Sequence, residues 1–319
     1  MTGLDRTATR LHPRPGTPTV HDSSVGGPLL WPAGEPWPMY APTYRPSGQL
    51  TTLADIRTLR SVLTQAWSRP RGPRENLLPA REQEVVDRIH AGYAPELLPA
   101  GPLPLIPLVQ LYARDVPGLP CPEGTDVLQV LWSSVGEIEG CSDAVQLRWR
   151  LSSDVREVLV EPPEPAYVDQ GEHVPAPCVL HPEQVREYPP DHILDMEQAQ
   201  RLDAWAKERS VDYRADLSVA PGWKLSGWPA HFTFRDPAES DELHCGECGG
   251  PVAALLTVDS SEWDGASGSW RPVGDGDGVA GHPYRNAHTP TLVTVGRGYT
   301  LQFYSCVSTP SHLPRTIMQ

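Results

Sequence analysis

The chain has 319 residues, with 26 Lys or Arg against 40 Asp or Glu, so its net charge is −14. Tight non-specific binding of DNA or RNA needs a basic face, so this charge argues against a nucleic-acid partner and favours a basic protein partner. The 27 glycines and 37 prolines interrupt the backbone too often for a helical bundle, and they predict short elements with long connections.

The first half of the chain predicts helices followed by strands. Residues 1–20 are expected to form a flexible leader, and residues 21–50 form a Gly-, Pro- and Trp-rich loop. Apolar residues at steps of three and four predict a helix over 51–67, and a second, shorter helix covers 81–91. Apolar or alternating runs predict strands at 105–113, 126–132, 144–150 and 155–160.

The second half predicts one helix and several strands. Residues 161–190 hold many prolines and are expected to form a long connector. Asp195 can cap a helix over 195–209, whose buried stripe is formed by Ala199, Leu202 and Trp205. Further strands are predicted at 251–259, 291–295 and 299–306.

The two halves share an order of motifs. A Gly/Trp/Pro loop at Gly26-Gly27-Pro28 and Trp31 is followed by an apolar strand that ends in an acid, and then by a strand containing Leu-Gln. The same order follows the loop at 225–229. Chance similarity between short strands is the alternative explanation. We predict a mainly β (α+β) fold of pseudo-duplicated antiparallel β units with helical insertions.

This duplication implies a division of the chain. The first β unit is expected over 21–160, with a helical insertion at about 51–91. The connector over 161–190 follows it. The second unit covers 191–319, where a helix precedes the strands.

Targeting signals are absent from the sequence. No apolar run approaches the ~20 residues that span a bilayer, and residues 1–20 contain no apolar stretch of the secretory type. We therefore expect a cytoplasmic protein without a membrane partner. Cysteines in that compartment are more often thiols or metal ligands than disulfides.

The sharpest chemical motif is His-Cys-Gly-Glu-Cys-Gly-Gly-Pro. Cys245 and Cys248 form a Cys-x2-Cys knuckle, and glycines behind such a knuckle let backbone amides turn toward the sulfurs, as in structural zinc sites. Cys306 and His312 can complete a tetrahedral zinc site. The competitors for the fourth position are His244, His282 and His288. The alternative is a pair of reduced thiols in a β-turn, with Cys306 a buried strand residue.

The other reactive side chains carry weaker patterns. Cys121, Cys141 and Cys178 have no neighbouring His and Asn pattern, so they are expected to be unreactive thiols. The acidic runs at 259–264 and 275–277 lack the spaced ligands of an EF-hand and are expected to be solvated turns.

Tryptophan is frequent in the two loops that are rich in Gly and Pro. The chain has 10 Trp against 3 Phe, and four of the Trp lie beside Pro or Gly, namely Trp31, Trp37, Trp223 and Trp228. These four can form an aromatic surface that grips an extended peptide, because Trp is enriched at interface hot spots. The alternative is that they anchor long loops onto a sheet.

These blocks resemble a known family. SSVGGPLLWPAGEPWP, PLVQLYARDV, VLQVLW, CGECGGP and YTLQFYSC, spread over about 21–319, are similar to blocks of the YwqG-like family of bacterial proteins. That family is itself similar to eukaryotic programmed cell death protein 2. The resemblance implies a duplicated, mainly β domain without established enzymatic activity. It also implies a chaperone-like or immunity-like role in which another protein, such as a basic ribosomal protein, is held.

The resemblance has one departure. Relatives tend to carry a second cysteine pair on the last strand, and here Cys306 matches its first member whereas the second is replaced, with Ser308, Thr309 and His312 nearby. This either removes zinc binding or moves the fourth ligand to His312. The helices at 51–67, 81–91 and 195–209 are insertions relative to shorter family members.

Two functions follow from the sequence. The first is a non-enzymatic protein-binding module that holds a basic partner and carries, at most, a structural zinc. The alternative is a metal-dependent hydrolase that uses the Cys245/Cys248 region, which requires a metal with an open coordination position.

Overall fold

Antiparallel β-sheets dominate the structure, as predicted. A computed structural model describes residues 4–43, 48–97, 101–136, 138–141, 143–230, 243–275 and 284–319. Of the chain, 23% is helical and 25% is in strands, and the four α-helices of the described residues lie outside the sheets. The strands are β1 (Arg6–Arg10), β2 (Arg14–Pro15), β3 (Ser24–Val25), β4 (Met39–Tyr40), β5 (Leu103–Pro104), β6 (Ile106–Tyr112), β7 (Val127–Trp132), β8 (Gly140–Cys141), β9 (Val145–Arg150), β10 (Cys178–Val179), β11 (Glu183–Glu187), β12 (Lys224–Ser226), β13 (Val252–Asp259), β14 (Thr300–Cys306) and β15 (Arg315–Met318).

Each of the two large sheets takes strands from both halves of the chain. The six-stranded sheet has the order β2-β10-β3-β6-β7-β9, and the seven-stranded sheet has the order β11-β1-β12-β13-β14-β15-β8. The short strands β4 and β5 form a separate pair. The expected leader over 1–20 and the expected connector over 161–190 are corrected by this order, because both segments contribute strands to the large sheets.

One antiparallel ribbon crosses between the two sheets. Its register is constant through the pairs Arg6–Glu187, Arg10–Glu183, Arg14–Val179 and Pro15–Cys178. Where the ribbon passes from one sheet to the other, both of its strands carry Leu-His-Pro, at 11–13 and at 180–182. The amide of His181 donates to the carbonyl of Leu11 at 2.9 Å. The same triplet therefore marks the crossing point on both strands of the ribbon.

The duplication extends to single residues. In the six-stranded sheet, Gln110 of β6 pairs with Gln129 of β7, just after a register shift between Pro107 and Val109. In the seven-stranded sheet, Thr257 of β13 pairs with Gln302 of β14, just after a shift between Ala254 and Leu256. The strand order β3-β6-β7-β9 therefore repeats as β12-β13-β14-β15, bulge included.

The paired polar residues are buried at the same place in both units. The Gln129 amide donates to Gln110 Oε1 at 2.8 Å, and the Thr257 hydroxyl donates to Gln302 Oε1 at 2.7 Å. All four side chains are at most 2% exposed. Buried polar groups of this kind persist because they satisfy one another.

One large apolar cluster connects the two sheets, in addition to two smaller clusters. Its members include Val25, Leu108 and Trp132 from the first unit and Leu225 and Phe303 from the second. Because one contiguous cluster is the usual sign of a single folding core, both units are stabilised by the same buried surface.

Three of the four helices in the described residues confirm the predicted positions within two residues, and the last, short helix was not predicted. They are α1 (Leu53–Ser68), α2 (Ala80–Ala91), α3 (Met196–Arg209) and α4 (Tyr213–Asp216). Thr52 caps α1 by accepting the amide of Asp55, and α2 ends at Gly92, whose φ of 64° suits glycine. Asp195 and Gln198 form a capping box on α3.

Three sequence expectations are corrected. Trp205 is 39% exposed, and the buried face of α3 is formed by Leu202 and Ala206, which lie one turn apart. The expected strand at 155–160 reduces to an isolated bridge between Pro32 and Val158, and that at 291–295 reduces to a bridge between Val295 and Tyr299. Both segments pair over too few residues to form a ladder.

Candidate metal centre

The Cys-x2-Cys knuckle is a tight turn that leads directly into β13. The amide of Gly249 donates to the carbonyl of Cys245, and the amide of Cys245 donates to the carbonyl of Gly250, both at 2.8 Å. Gly249 has a φ of 68°, a conformation that favours glycine. The local sequence therefore folds the two cysteines onto one side of the turn.

The other two donors come from the same end of the strand pair formed by β13 and β14. Cys306 is the last residue of β14 and pairs with Val252, the first residue of β13. His312 lies in the turn between β14 and β15. Glu247, inside the knuckle, accepts the amide of Leu313 at 2.6 Å and thereby ties the two turns together.

The four predicted donors converge. The Cys245 sulfur lies 3.3 Å from His312 Nδ1, the Cys248 and Cys306 sulfurs are 3.6 Å apart, and all four donor atoms lie within 4.8 Å of one another. A tetrahedral ion with metal–sulfur bonds of about 2.3 Å needs sulfur atoms about 3.8 Å apart. The cluster can therefore hold a metal ion without rearrangement of the backbone.

The four residues of the cluster differ in their exposure to solvent. Cys245 and Cys306 are buried, at 3% and 2% exposure, whereas Cys248 is exposed and His312 is half-buried. The site lies at the protein surface, with two sulfurs anchored inside.

Hydrogen bonds favour thiolates at two of the three sulfurs. Burial opposes charge on Cys245, but amide groups of Cys248 and Glu247 and the ring of His312 lower its pKa to about 6. Burial likewise opposes charge on Cys306, yet nearby amides lower its pKa.

Those two thiolates shift the pKa values of the remaining donors, His312 and Cys248. Bonds to Cys245 and Cys306 raise the pKa of His312. The amide of Gly250 favours the thiolate of Cys248, but the sulfurs of Cys245 and Cys306 outweigh it and raise its pKa. A bound cation would relieve this competition, because it stabilises all three thiolates together.

The competing histidines lie elsewhere. His244 forms a bridge with Pro251 at the base of the knuckle, outside the cluster. The ring of His288 lies edge-on to Trp263, 5.9 Å away. His282 lies outside the described residues.

The four tryptophans separate into two groups. Trp31 and Trp223 are each 1% exposed and belong to the core, so they cannot form a contact surface. This corrects their assignment as partner-binding residues, because burial makes them loop anchors. Trp37 and Trp228 are half-buried, and their indole N–H groups donate to the carbonyls of Leu105 and Leu4.

The acidic run at 259–264 is also corrected. Asp259 and Glu262 are 9% and 0% exposed, so they are not in a solvated turn. Asp259 accepts the amide of Gly222 at 2.9 Å, and Glu262 accepts that of Trp223 at 3.0 Å. Burial raises the pKa of Asp259 to about 6. The two acids hold the start of β12 in place.

The pKa values of two of the three isolated cysteines are raised, as expected for thiols that remain protonated. Burial raises the pKa of Cys178 to about 11 and also raises that of Cys121. Low thiolate content makes a cysteine a poor nucleophile.

Sequence reasoning missed Glu247. Its position between the two cysteines was visible, but its bond to the distant amide of Leu313 depends on the fold.

Comparison with known proteins gives no relative: the chain matches no family model and no curated protein. Within the described residues, no helix has both the length and the apolar character needed to cross a membrane.

Proposed function

We propose that the chain is a non-enzymatic protein-binding module whose second unit is held by a structural zinc ion. The observation that carries this proposal is the complete donor set of Cys245, Cys248, Cys306 and His312. Three thiolates and one imidazole are a zinc-type combination, and four protein donors leave a tetrahedral ion no open position. An ion so enclosed stabilises a fold.

The alternative, a metal-dependent hydrolase, is not favoured by this arrangement. Catalytic zinc keeps a position for water or substrate and is commonly bound by three protein ligands. Here His312 fills the position that water would take. The donor set therefore supports a structural ion.

The proposed partner is a basic protein. The support is the net charge of −14, which attracts a basic surface over long range and would accelerate association at low salt. The resemblance to the YwqG-like family supports a chaperone-like or immunity-like role of the same kind.

Trp37 and Trp228 are the proposed contact residues. Both are half-buried, so each presents part of an aromatic ring at the surface. Met39, near Trp37, is 45% exposed, and Arg6 stacks on Trp228 at 3.5 Å. Partly exposed Trp next to apolar or planar groups is typical of interface anchors.

Affinity capture followed by reconstitution tests the proposal. A partner identified by mass spectrometry is purified, and its affinity for the chain is measured at about 50 mM and about 500 mM salt. We expect tighter binding at low salt, and we expect Trp37→Ala and Trp228→Ala to weaken binding about tenfold or more.

A matched control is Trp67→Ala. Trp67 is also half-buried and stacked by an arginine, Arg71, but it lies on α1. Equal losses for all three variants, or affinity independent of salt, would contradict the proposed face and partner class.

A further inference from the structure

A cavity lies where the helical insertion of the first unit meets loops of the second. Its volume is about 540 Å³, which is within the usual range for small-molecule sites. Its walls come from α1 and α2, from residues 169–172 and from the loop at 289–294. We call it the insertion cavity. The loop is fixed to the connector by the amide of Ala176, which donates to Thr291 at 2.7 Å.

Arg60 of α1 brings a positive charge to this cavity. Its Nη2 donates to the carbonyls of Val174 at 2.6 Å and Gly171 at 3.5 Å, and its Nε and Nη1 have no hydrogen-bond partner among the described residues. No carboxylate in the described ranges forms an ion pair with it. The Nε–H and Nη1–H groups remain able to donate single charge-assisted hydrogen bonds to a carboxylate.

Neighbouring titratable groups also act on the Arg60 guanidinium. Burial lowers the pKa of Arg60 and the positive charge of Arg285 adds to that shift, whereas Tyr284 and the Glu172 carboxylate oppose it. Within the described ranges, Arg285 donates to backbone carbonyls and a thiol, including the carbonyl of Pro290 at 2.6 Å. Its positive charge acts on Arg60 and adds to the attraction of an anion there.

The wall of the insertion cavity is strained at Leu292. This residue has a φ of 53°, a left-handed conformation that is rare for a bulky side chain. Such strain concentrates at ligand clamps and other functional sites.

The remaining walls restrict the ligand. Ile56, Leu59 and Ile89 provide an apolar surface next to Arg60. Asp169 and Glu172 place two carboxyl groups on the wall as well, and these disfavour a ligand with a second negative charge. The complementary molecule has one carboxylate and an apolar tail.

We propose that the insertion cavity binds a small monocarboxylate, whose carboxylate pairs with Arg60 and whose apolar tail lies against Ile56, Leu59 and Ile89. This site lies in a different part of the fold from the Cys/His cluster, and the inference does not depend on the proposed function.

Isothermal titration with 4-methylpentanoate tests the proposal on the full chain. We expect saturable binding with a Kd at or below about 1 mM. The neutral analogue 4-methylpentanamide and inorganic phosphate are expected to bind at least tenfold more weakly, because the first lacks the charge and the second carries too much.

Substitutions locate the binding. Arg60→Gln is expected to weaken binding at least tenfold, whereas Arg57→Gln leaves it unchanged because Arg57 is exposed and pairs with Glu164 on the outer side of α1. If circular dichroism shows that Arg60→Gln unfolds, Arg60→Lys is used, with an expected loss of about threefold. No saturable binding of 4-methylpentanoate, equal binding of the amide, or full affinity in the Arg60 variant would each overturn the proposal.

Discussion

Each unit contains a central strand pair, β6 with β7 in the first unit and β13 with β14 in the second. The two units differ in the side chains that hold the corresponding ends of these strand pairs together. In the second unit, Cys306 lies four residues after Gln302 and belongs to the metal cluster. In the first unit, the residue four places after Gln129 is Ser133, whose hydroxyl donates to the carbonyl of Val135 at 2.8 Å. Beside it, the fully buried Trp132 donates to the carbonyl of His173 at 2.9 Å.

This difference shows which contacts of the first unit have no counterpart at the Cys/His cluster of the second unit. The first unit closes its strand pair with a large aromatic side chain and a packed connector. The second unit has the small residues Ser305 and Cys306 at the corresponding positions. Side-chain donors bound to an ion can hold strand ends together where apolar contacts cannot. The first unit thus closes its strand ends by burial, whereas the second places there a Cys/His cluster that could hold a metal ion.

The largest expected effect comes from removing a metal donor. Cys306→Ser should abolish zinc binding and lower Tm by about 5–10 °C, because the strand ends of the second unit lose their ion. The matched change in the first unit, Ser133→Ala, should cost only about 1 kcal/mol, since it removes one hydroxyl. Differential scanning calorimetry with metal analysis measures both. Similar losses for the two variants would show that the ends are closed alike.

A buried ion pair gives the next contrast. Lys224 and Glu187 are fully buried, and the Lys224 ammonium donates to the Glu187 carboxylate. Lys224→Met leaves that carboxylate without its cation and should cost about 3–5 kcal/mol in urea denaturation.

The position of Lys224 in the first unit is taken by Ser24, which faces Gln110 as Lys224 faces Thr257. Ser24→Ala should cost less than about 1 kcal/mol, because the Ser24 hydroxyl is buried without a hydrogen-bond partner in the described structure. A larger cost for Ser24→Ala than for Lys224→Met would break the comparison.

The central glutamines should behave as equivalents. Gln129 bonds to Gln110, to the carbonyl of Leu30 and to Arg150. Gln302 also makes three bonds, to Thr257 and to two backbone carbonyls. Gln129→Leu and Gln302→Leu should therefore each destabilise by about 2–3 kcal/mol, because each leaves buried partners unsatisfied. Values that differ by more than about 2 kcal/mol would contradict the equivalence.

The smallest effect expected in the unmodified chain concerns pH. Burial raises the pKa of Asp259 to about 6, so this group binds more protons when folded, and its stabilising contribution fades as pH rises from about 4 to 6. Burial lowers the pKa of His173 to about 4, so its contribution is present above about 6.5 and is lost as pH falls toward 4. The two trends oppose each other and should nearly cancel.

Removing either titrating group should leave the pH dependence of the other group uncompensated. Asp259→Asn should make stability rise with pH between 4 and 6.5, and His173→Gln should make it fall, each by at most about 3 kcal/mol. Urea denaturation at four pH values measures the slopes. Unchanged slopes in both variants would contradict the opposing titrations.

The sequence predicted the parts of the fold that local patterns encode. Periodicity placed α1, α2 and α3, and Asp195 was identified as a cap because its chemistry is local. The duplication was predicted from motif order. The Cys/His donors were found because Cys-x2-Cys with glycines is a local motif.

Other features depend on contacts distant in sequence. β1 has few apolar residues in RTATR, and its strand character comes from pairing with β11 and β12 on both sides. The Leu-His-Pro repeat gave no signal until the ribbon register aligned its two copies. Burial of Trp31 and Trp223 could not be predicted, since a Trp beside Pro fits a loop anchor and an exposed contact equally well. Arg60 gave no sequence signal, because the groups around its guanidinium depend on how α1 docks.

The central claim, that the second unit is completed by an enclosed metal ion, is tested most directly by X-ray absorption spectroscopy on the purified chain after metal analysis. The account predicts one zinc per chain with three sulfur ligands and one nitrogen ligand, at metal–sulfur distances of about 2.3 Å. A chain that binds no zinc, or a zinc with a water ligand in place of His312, would contradict it.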